Sequence, residues 1–587
     1  MITKYKSRRS GVNRSERTSA SSARSSFKGK LQVLALGGLE EVGRNMMLLE
    51  FNKEIVIIDM GLQFPEEDMP GIDYIIPNIE YLKGRESDIK GVIITHGHMD
   101  HIGAIPHLIG KLGNPPMFMG KLTAGLVRKR CEQHRSCPKV AIKEINENSK
   151  IQLGKYFRVE FLRVNHSIPD SFAVIVNTPI GRVVHTGDFK IDYSPVNDVP
   201  ADLNKIALVG AEGVMLLMAD STDATRPGYQ ISESSIGDEM GRLFEKIEGR
   251  IIIGTFASQL SRIQKILDLA QTYGRRVYLE GRTMHDNVDI AHKIGYLKFN
   301  PRVLINSAEE LGRLPDKKII ILGTGAQAES NAFLMKLVSG EHRKLSIKPG
   351  DTVIFSSSVI PGNERSIQNL MDKIVRQGAR VINYEMMDVH AGGHAKQEDL
   401  KLMMRLIKPQ FFIPIEGNHY MLRAHAELAE QVGIPASNIF VPDNGQIAEF
   451  EKLENGQVVG KLTNKKVPTD YVMVDGLGVG DVSHIVLRDR RVMAEDGMIV
   501  IITTIDSKTG DPIGNPDIIS RGFVYMKETK ELIEKTRMKV KKLVKEHDPR
   551  TPAEDEYIKS RIRNEIGQFL FSQTKRRPMV LPVIIKV

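Results

Sequence analysis

The stretch T-H-G-H-M-D-H, which begins at Thr95, places three histidines and an aspartate close together directly after an apolar run. On a tight turn, His96 and His98 can share one metal ion, and Asp100 and His101 then point toward a second position nearby. Imidazole nitrogens and carboxylate oxygens suit zinc or manganese, and the missing thiolates favour a catalytic site over a closed structural one. The cluster alone leaves a core network or a surface group of histidines open.

Two more candidate ligands follow downstream, His166 within N-H-S-I-P-D and Asp188 within H-T-G-D-F-K. A carboxylate at position 188 could bridge two cations. Two metals roughly 3.5–4 Å apart can hold a bridging hydroxide and clamp the oxygens of a phosphoryl displacement. Taken singly, His166 is more often a packed core histidine and Asp188 a turn residue, so the prediction depends on their combination.

Apolar, strand-like runs precede each of these polar groups. The predicted strands of this part are Leu31–Leu36, Met46–Phe51, Glu54–Asp59, Val92–Thr95, Arg158–Val164, Arg182–His185 and Val214–Ala219. Loops at the ends of strands commonly carry functional residues, because a rigid sheet positions them. The sequence therefore predicts a sheet domain whose strand ends carry a metal site.

From about Ser232 the pattern changes to helices that alternate with short buried strands. The predicted elements are helix Glu233–Ile247, strand Arg250–Thr255, helix Gln259–Tyr273, strand Arg276–Glu280, helix Met284–Ile294, strands Lys318–Leu322 and Asp351–Ser356, and helix Asn363–Gln377. Such alternation predicts a second domain with a parallel sheet. Polar clusters follow at Asp388–His394 and Glu416–His419, and residues from about Val486 predict a further small domain.

The composition suits a globular protein, since 41% of the 587 residues are hydrophobic and 26% are charged. No apolar run approaches the roughly 20 residues that span a bilayer, and the N-terminus lacks the apolar core of a signal peptide. Cys131 and Cys137 do not have zinc-ribbon spacing and cannot form a disulfide framework, so we interpret them as ordinary thiols. These features predict a cytoplasmic protein with no membrane partner.

The net charge of +10 is concentrated at the N-terminus, where residues 1–30 hold nine Lys or Arg and one Glu. This segment is rich in serine and nearly free of apolar residues, which predicts disorder. A nucleic-acid-binding arm is one interpretation, because cationic residues gain affinity for phosphates through counterion release. A solubilising extension is the other, and the tail alone does not decide between them.

Taken together, the motifs resemble the metallo-β-lactamase fold, with Asp59, T-H-G-H-M-D-H, His166 and Asp188 as its first four motifs. An α/β block separates D-S-T-D-A-T-R-P-G (220–228) from H-A-G-G-H-A (390–395). Such an insertion resembles the β-CASP branch of that superfamily, whose members cut nucleic acids.

Within that branch the chain resembles the bacterial ribonuclease J family over roughly residues 30–587. The stretches that carry the resemblance are G-G-L-E-E-V-G-R-N (37–45), H-T-G-D-F-K (185–190), D-S-T-D-A-T-R-P-G, F-S-S-S-V-I-P-G-N-E (355–364) and H-A-G-G-H-A. The implied fold class is α/β, a metallo-β-lactamase αββα sandwich with an inserted β-CASP α/β domain and a small α+β C-terminal domain. The expected bounds are a disordered basic tail at 1–29, the hydrolase domain at 30–230 and 380–458, the β-CASP domain at 231–379, a linker at 459–485 and a C-terminal domain at 486–587.

The resemblance also implies roles for individual residues. Asp59 is expected to orient the histidine turn by hydrogen bonding, and Asp220 to orient His394. His394 would contact the scissile phosphate as general acid or charge stabiliser, and Asp100 would handle the proton of the bridging water. The residues expected beside the RNA phosphates are Ser356, Ser357, Ser358, Asn363, His390, Gly392, Gly393 and His394. Asn363 has the alternative interpretation of a helix N-cap.

Two positions depart from the family pattern. The family usually has H-x-S-G-H-A, whereas this chain has Gly392 at the third position, so recognition of a 5′-monophosphate could be weaker or differently built. The family usually closes the metal site with P-V-H-G-E-Y, whereas this chain reads P-I-E-G-N-H-Y. Either Glu416 supplies an oxygen ligand or His419 replaces it, and we favour Glu416 because it keeps the backbone register. The alternative is that water completes the second metal.

The implied function is a metal-dependent ribonuclease with 5′→3′ exonuclease and endonuclease activity on single-stranded RNA, acting in mRNA decay and rRNA maturation. Two divalent ions are expected per subunit, zinc first, with manganese or magnesium possible. Expected partners are RNA with a 5′-monophosphate, a second or further copies in a homodimer or homotetramer formed through the C-terminal domain, and a ribosome or RNA-degradation complex. A weakened, RNA-binding scaffold subunit is the main alternative. A small-molecule hydrolase is disfavoured, because a small substrate needs no inserted domain.

Overall fold

The fold is described from a computed structural model of the chain. It describes residues 29–587 apart from 67, 197, 326–331, 358–362, 384–391, 510, 524–529 and 547–554. The basic tail up to residue 28, Ser358 and His390 therefore lie outside the described residues.

The first part of the hydrolase domain consists mainly of strands. They are β1 Lys30–Gly37, β2 Met46–Phe51, β3 Glu54–Ile58, β4 Tyr74–Ile76, β5 Ile89–Ile93, β6 Met117–Met119, β7 Ile142–Glu144, β8 Lys150–Leu153, β9 Phe157–Val164, β10 Ser171–Asn177, β11 Arg182–His185 and β12 Leu216–Asp220. The helices are α1 Met99–Ile102, α2 Ile105–Leu108, α3 Lys121–Gln133 and α4 Leu203–Ala211. Several strands, such as β12, are buried on both faces, which explains their nearly continuous apolar sequences.

The inserted domain alternates helices with strands, as predicted. The helices are α5 Glu233–Lys246, α6 Leu260–Thr272, α7 Arg282–Lys293, α8 Ala308–Arg313, α9 Phe333–Val338 and α10 Glu364–Arg376. The strands are β13 Ile251–Gly254, β14 Arg276–Leu279, β15 Leu304–Ile305, β16 Ile319–Gly323, β17 Thr352–Phe355 and β18 Arg380–Ile382. They form one sheet in the order β15-β14-β16-β13-β17-β18, with every neighbouring pair parallel.

After the insertion the chain returns to the hydrolase domain. The elements are α11 Gln397–Ile407, β19 Phe411–Ile415, α12 His419–Gln431, β20 Gln446–Lys452 and β21 Val458–Lys466. One sheet has the order β21-β20-β1-β2-β3-β5-β6-β7 and the other β19-β12-β11-β10-β9-β8. Strands from both sides of the insertion therefore complete both sheets.

The two hydrolase sheets pack face to face between helices, which confirms the expected αββα sandwich. Inward side chains such as Val33, Val174 and Ile413 form the core between the sheets. The outer face of the first sheet packs against α2 and α3, and this core continues into the insertion where α3 contacts α7. The outer face of the second sheet packs against α4, α11 and α12. This arrangement fixes the strand ends in one common rim.

The C-terminal part forms two small sheets. Its elements are β22 Val472–Asp475, β23 Gly478–Val479, α13 His484–Glu495, β24 Met498–Ile505, β25 Pro512–Arg521, α14 Lys530–Lys545, α15 Asp555–Thr574 and β26 Met579–Lys586. Residues 459–485, expected as a linker, contain most of β21 and the strand β22, which pairs with β4 of the hydrolase domain. In the described part of the chain, no helix is both long and apolar enough to cross a membrane.

Candidate metal centre

The candidate site lies at the carboxyl ends of strands from both hydrolase sheets. The residues found there are Asp59 after β3, His96 after β5, His166 after β9, Asp188 after β11, Asp220 at the end of β12 and Glu416 after β19. In each sheet these strands run in one direction, as the parallel pairs β3–β5, β11–β12 and β12–β19 show. Side chains that are far apart in sequence therefore meet at one edge.

The histidine turn is held by Asp59, which is 1% exposed and has a φ of 64°. Its Oδ1 accepts a hydrogen bond from the Thr95 backbone N–H at 2.8 Å, and its Oδ2 accepts from Thr95 Oγ1 at 2.8 Å. The same Oδ2 lies 2.8 Å from His101 Nδ1. Because a carboxylate only accepts, His101 Nδ1 is the donor, and its Nε2 faces the site.

A first group of four ligand atoms surrounds one position. His98 Nδ1 lies 3.1 Å from His96 Nε2 and 3.0 Å from His166 Nε2. Asp188 Oδ2 lies 3.7 Å from His96 Nε2 and 3.6 Å from His166 Nε2. His166 donates from Nδ1 to the Gly393 carbonyl at 2.8 Å, which fixes the ring. Three imidazole nitrogens and one carboxylate oxygen form a donor set suited to zinc.

A second group shares Asp188 with the first. His101 Nε2 lies 3.3 Å from Asp188 Oδ1 and 3.6 Å from Asp100 Oδ2. One ligand atom from each of Asp100, His101 and Asp188 lies within 4.8 Å of the others. Glu416 is hydrogen-bonded to Asp188 and clusters with His101. The two oxygens of Asp188 therefore face different groups, as a bridging carboxylate requires.

The charges of this buried cluster are strongly coupled. Burial opposes the charged form of Asp188, but His101 and His394 outweigh it and hold its pKa well below the usual range. Burial and the negative charge of Asp188 raise the pKa of Glu416 well above its ordinary value. Burial likewise lowers the pKa of His96 and His166, which keeps both rings neutral. Neutral imidazoles and a shared carboxylate suit a cation, whose binding displaces the remaining protons.

The two candidates for the last ligand, Glu416 and His419, lie in different environments. Glu416 is 6% exposed, and its Oε2 is buried without a hydrogen-bond partner among the described residues. A buried carboxylate oxygen without a donor is unfavourable, so this atom fits a site that a cation completes. His419 begins α12 with a 56% exposed side chain and lies 4.0 Å from Glu40. Glu416 therefore faces the cluster, and His419 faces solvent.

His394 lies beside the two groups and is held by Asp220. Its Nδ1 is 2.8 Å from Asp220 Oδ2 and 3.9 Å from Asp188 Oδ2. Burial opposes its protonation, but Asp220 and Asp188 outweigh burial and raise its pKa to about 10. The side chain is 25% exposed, in contrast to the buried Asp220. The two carboxylates therefore favour the protonated form of His394, and its partly exposed ring can reach an anionic substrate.

Gly392 makes room for a glutamine that the sequence analysis missed. A Cβ atom at position 392 would lie 2.5 Å from Gln230 Nε2 and 3.3 Å from Asp223 Oδ2. Gln230 Nε2 donates to the His394 carbonyl at 2.9 Å. The space that a serine would need is thus filled by Gln230, which holds the backbone of His394.

The serine loop after β17 is anchored from inside the inserted domain. Ser356 is fully buried, and Arg262 donates to its carbonyl at 3.3 Å and to its Oγ. Arg262 is itself paired with Glu233 at 2.9 Å. Ser357 is 3% exposed. Asn363 occupies the N-cap position of α10, but its side chain makes no capping hydrogen bond.

Three contributors were not predicted from the sequence. Thr95 carries two of the hydrogen bonds to Asp59, and its position directly before the histidine motif could have indicated this role. Gln230 contacts His394, which lies 164 positions later in the chain, and Arg262 contacts Ser356, which lies 94 positions later. No local sequence pattern therefore marks either residue.

Comparison with protein-family models finds four matches along the chain. They are the metallo-β-lactamase superfamily at residues 39–206, the ribonuclease J β-CASP domain at 248–374, the Zn-dependent metallo-hydrolase RNA specificity domain at 380–442 and the ribonuclease J C-terminal domain at 485–587.

Curated relatives match along nearly the whole length. Ribonuclease J of Thermus thermophilus is 41% identical over 95% of this chain and 95% of its own. The chain belongs to the ribonuclease J family. Ribonuclease J 1 of Streptococcus pyogenes is 38% identical over 94% of this chain and 97% of its own. Ribonuclease J2 of Bacillus subtilis is 37% identical over 95% of this chain and 99% of its own.

Membership of the ribonuclease J family confirms the resemblance read from the motifs. Among solved structures, a protein of unknown function from Enterococcus faecalis matches with a TM-score of 0.51 and 17% identity. The match covers 71% of this chain and 99% of that chain, and supports the fold alone.

Proposed function

We propose that this chain is a ribonuclease that hydrolyses phosphodiester bonds of single-stranded RNA with the help of two divalent cations, zinc first. The observation that carries the proposal is the pair of ligand groups that share Asp188, with His394 directly beside them. When bound, the cations would activate water and neutralise charge on the phosphate. The RNA specificity domain matched at residues 380–442 supports RNA as the substrate.

The roles of the protein's own residues follow from their positions. His96, His98 and His166 would hold one cation, and Asp100, His101 and Glu416 the other, with Asp188 between them. Asp59 would keep the histidine turn in register through its contact with His101 Nδ1.

The remaining residues would act on the substrate. His394, held by Asp220, would donate a hydrogen bond to a phosphate oxygen and stabilise charge as the bond breaks. Asp100 is 34% exposed at its side chain, so it can exchange a proton with water at the site. Gly392 and Gly393 would offer backbone N–H groups to the phosphates. The buried Ser356 would support its loop through Arg262 rather than touch RNA.

The family supports a combined 5′→3′ exonuclease and endonuclease that prefers a 5′-monophosphate and acts in mRNA decay and rRNA maturation in the cytoplasm. We propose the division into domains at the bounds expected from the sequence, with the hydrolase sheet extended to Lys466 by β21. Association with a ribosome or an RNA-degradation complex would add to this role.

The C-terminal domain is proposed as the contact between copies in a homodimer or homotetramer. One face of its sheet packs against α14 and α15. The opposite face exposes apolar side chains, among them Ile519, Leu581, Val583 and Ile585, at 37–45% exposure. A contiguous apolar face of this kind favours a protein partner.

The proposal is tested with 5′-monophosphorylated single-stranded RNA and purified full-length protein in Mn²⁺ or Zn²⁺. Mononucleotides are expected, and Asp188→Asn should slow their release about a thousandfold or more, since both ligand groups lose their shared carboxylate. Lys373→Met, a change at an exposed lysine of α10, serves as the control. If the wild-type protein binds two cations and cleaves no RNA, the ribonuclease proposal is rejected in favour of the RNA-binding scaffold subunit.

A further inference from the structure

The inserted domain contains a cavity that the metal centre does not use. It has a volume of about 610 Å³, within the usual range for small-molecule sites. Tyr278, Glu280 and Thr324 line it from the ends of β14 and β16, and Phe333 and Lys336 line it from α9. The loop at 341–344 closes one side.

The cavity lies where the connections of neighbouring parallel strands diverge. Helices α6 and α7, which follow β13 and β14, pack on one face of the sheet, as the contacts of Ile263 and Met284 show. Helices α9 and α10, which follow β16 and β17, pack on the other face through Leu334 and Leu370. Strands β14 and β16 are adjacent and parallel, so their connections leave in opposite directions. Ligands of open α/β sheets bind in the crevice formed at such a switch point.

An acidic side chain is fixed at the end of β14. Glu280 directly follows the last residue of this strand and is hydrogen-bonded by the Tyr278 hydroxyl. His342 Nε2 lies 3.6 Å from Glu280 Oε1 on the other side. His342 is itself positioned, because its Nδ1 accepts from the Leu345 backbone N–H at 3.0 Å. A carboxylate at the end of a strand in a switch-point crevice is the group that accepts from ribose hydroxyls in nucleotide-binding sheets.

The cavity also carries three cationic side chains without an ion-pair partner among the described residues. Lys336, Arg343 and Lys344 line it, and none of them forms an ion pair with the residues that the structure describes. Strand β16 ends in a G-T-G turn beside the cavity, and a Cβ at Gly323 would lie 2.3 Å from the Phe333 ring. Because Gly323 has no side chain, Phe333 can pack against the end of β16 beside the cavity. Lys336, Arg343 and Lys344 together with the Glu280 carboxylate in one cavity suit a ligand with a phosphate and a diol, and the lining also contains Glu341.

We propose that this cavity binds a ribonucleoside 5′-phosphate, with the ribose hydroxyls on Glu280 and the phosphate on Lys336, Arg343 and Lys344. The aromatic rings of Tyr278 and Phe333 form the apolar part of the wall. The ligand is either a free nucleotide or the terminal nucleotide of an RNA with an unblocked 3′ end, since both present the same diol and phosphate. The site is separate in its residues from the hydrolytic centre, so it binds whether or not the centre is active.

Equilibrium binding of AMP to the full-length protein in EDTA tests the proposal. AMP is expected to bind, and 2′,3′-dideoxy-AMP to bind about tenfold more weakly, because the bonds to the Glu280 carboxylate are lost. Glu280→Gln should reduce this preference for the ribose, and Lys336→Met should weaken binding of both nucleotides about tenfold. Lys373→Met, outside the cavity lining, should bind as the wild type does.

The source of the ligand is decided with short RNAs in the same assay. If an RNA with a 3′-hydroxyl competes with AMP and its 3′-phosphorylated form does not, the ligand is an RNA end. If neither RNA competes with AMP, the ligand is the free nucleotide. The proposal is overturned if AMP does not bind at millimolar concentration, or if Glu280→Gln and Lys336→Met both bind it as the wild type does. RNA cleavage by the same variants is measured separately, so failure here does not count against the ribonuclease function.

Discussion

Asp188 occupies the position on which both ligand groups depend. Its Oδ2 faces His96 and His166, and its Oδ1 faces His101. Such a side chain must be short and fixed at a strand end, and the H-T-G-D turn after β11 provides this position. The sequence analysis named this residue because strand ends can be located from apolar runs, and the structure places it among the other candidate ligands.

Metal content separates Glu416 from His419. In Glu416→Ala the protein should lose about one of two bound zinc ions, because the buried carboxylate beside Asp188 is removed. His419→Ala should keep both, since that ring is exposed and faces Glu40. The measurement is zinc per chain by mass spectrometry after dialysis. The opposite order would assign the ligand to His419.

Gly392 and Gln230 form a matched pair that is open to a double-mutant test. Gly392→Ser should lower kcat/KM about tenfold or more, because the new Cβ displaces the Gln230 amide that holds the His394 carbonyl. Adding Gln230→Ala should lower kcat/KM little further, because the amide contact with His394 is already lost in Gly392→Ser. A double variant whose loss equals the product of the two single losses would show that the two residues act independently.

At the scale of elements, the strands were predictable and several of the contacts between them were not. Apolar runs predicted β1, β2 and β9 to within about two residues, and β-α alternation predicted the parallel sheet of the insertion. The pairing of β22 with β4 was missed, because glycines around β22 suggested a connection and β4 has only three residues. Long-range pairing of short strands has no local sequence signal.

Helix α12 carries a buried histidine that should affect stability at low pH. His425 is fully buried, its Nδ1 lies 3.0 Å from Ser221 Oγ, and its Nε2 has no partner among the described residues. Burial lowers its pKa to about 3. In the unfolded chain this histidine has a pKa near 6.5, so below that pH the unfolded chain binds more protons than the folded chain. The free energy of unfolding is therefore highest above pH 6.5 and falls by about 1.4 kcal/mol for each pH unit between 6.5 and 3.

The variant His425→Asn removes this proton linkage and keeps a polar atom for Ser221. Between pH 7.5 and 5.5 its Tm should fall about 2–4 °C less than that of the wild type, measured in EDTA by calorimetry. His419→Asn, at the exposed start of the same helix, is the control and should follow the wild type. Equal falls for His425→Asn and the wild type would contradict the expectation.

At the scale of the whole molecule, the C-terminal domain offers the clearest prediction. Val583 lies on the exposed face of β26 with 42% exposure, away from the core formed with α14 and α15. Val583→Glu should reduce the mass in solution from a multiple of 65.7 kDa toward 65.7 kDa, because a charge enters the apolar contact. Light scattering provides the measurement. If the wild-type protein already has a mass of 65.7 kDa in solution, this face does not form a contact between copies.

The division of the hydrolase domain around its insertion also has a consequence during synthesis. His101 is translated early, whereas Glu416, β19 and the strand β20 that pairs with β1 come only after the inserted domain. At roughly 5–20 residues per second, the ribosome needs about 15–60 s to pass from the first group to the last. During this interval the nascent chain carries most of the ligands but not the complete centre. The order of the segments therefore places completion of the candidate metal centre late in synthesis, after the inserted domain has been made.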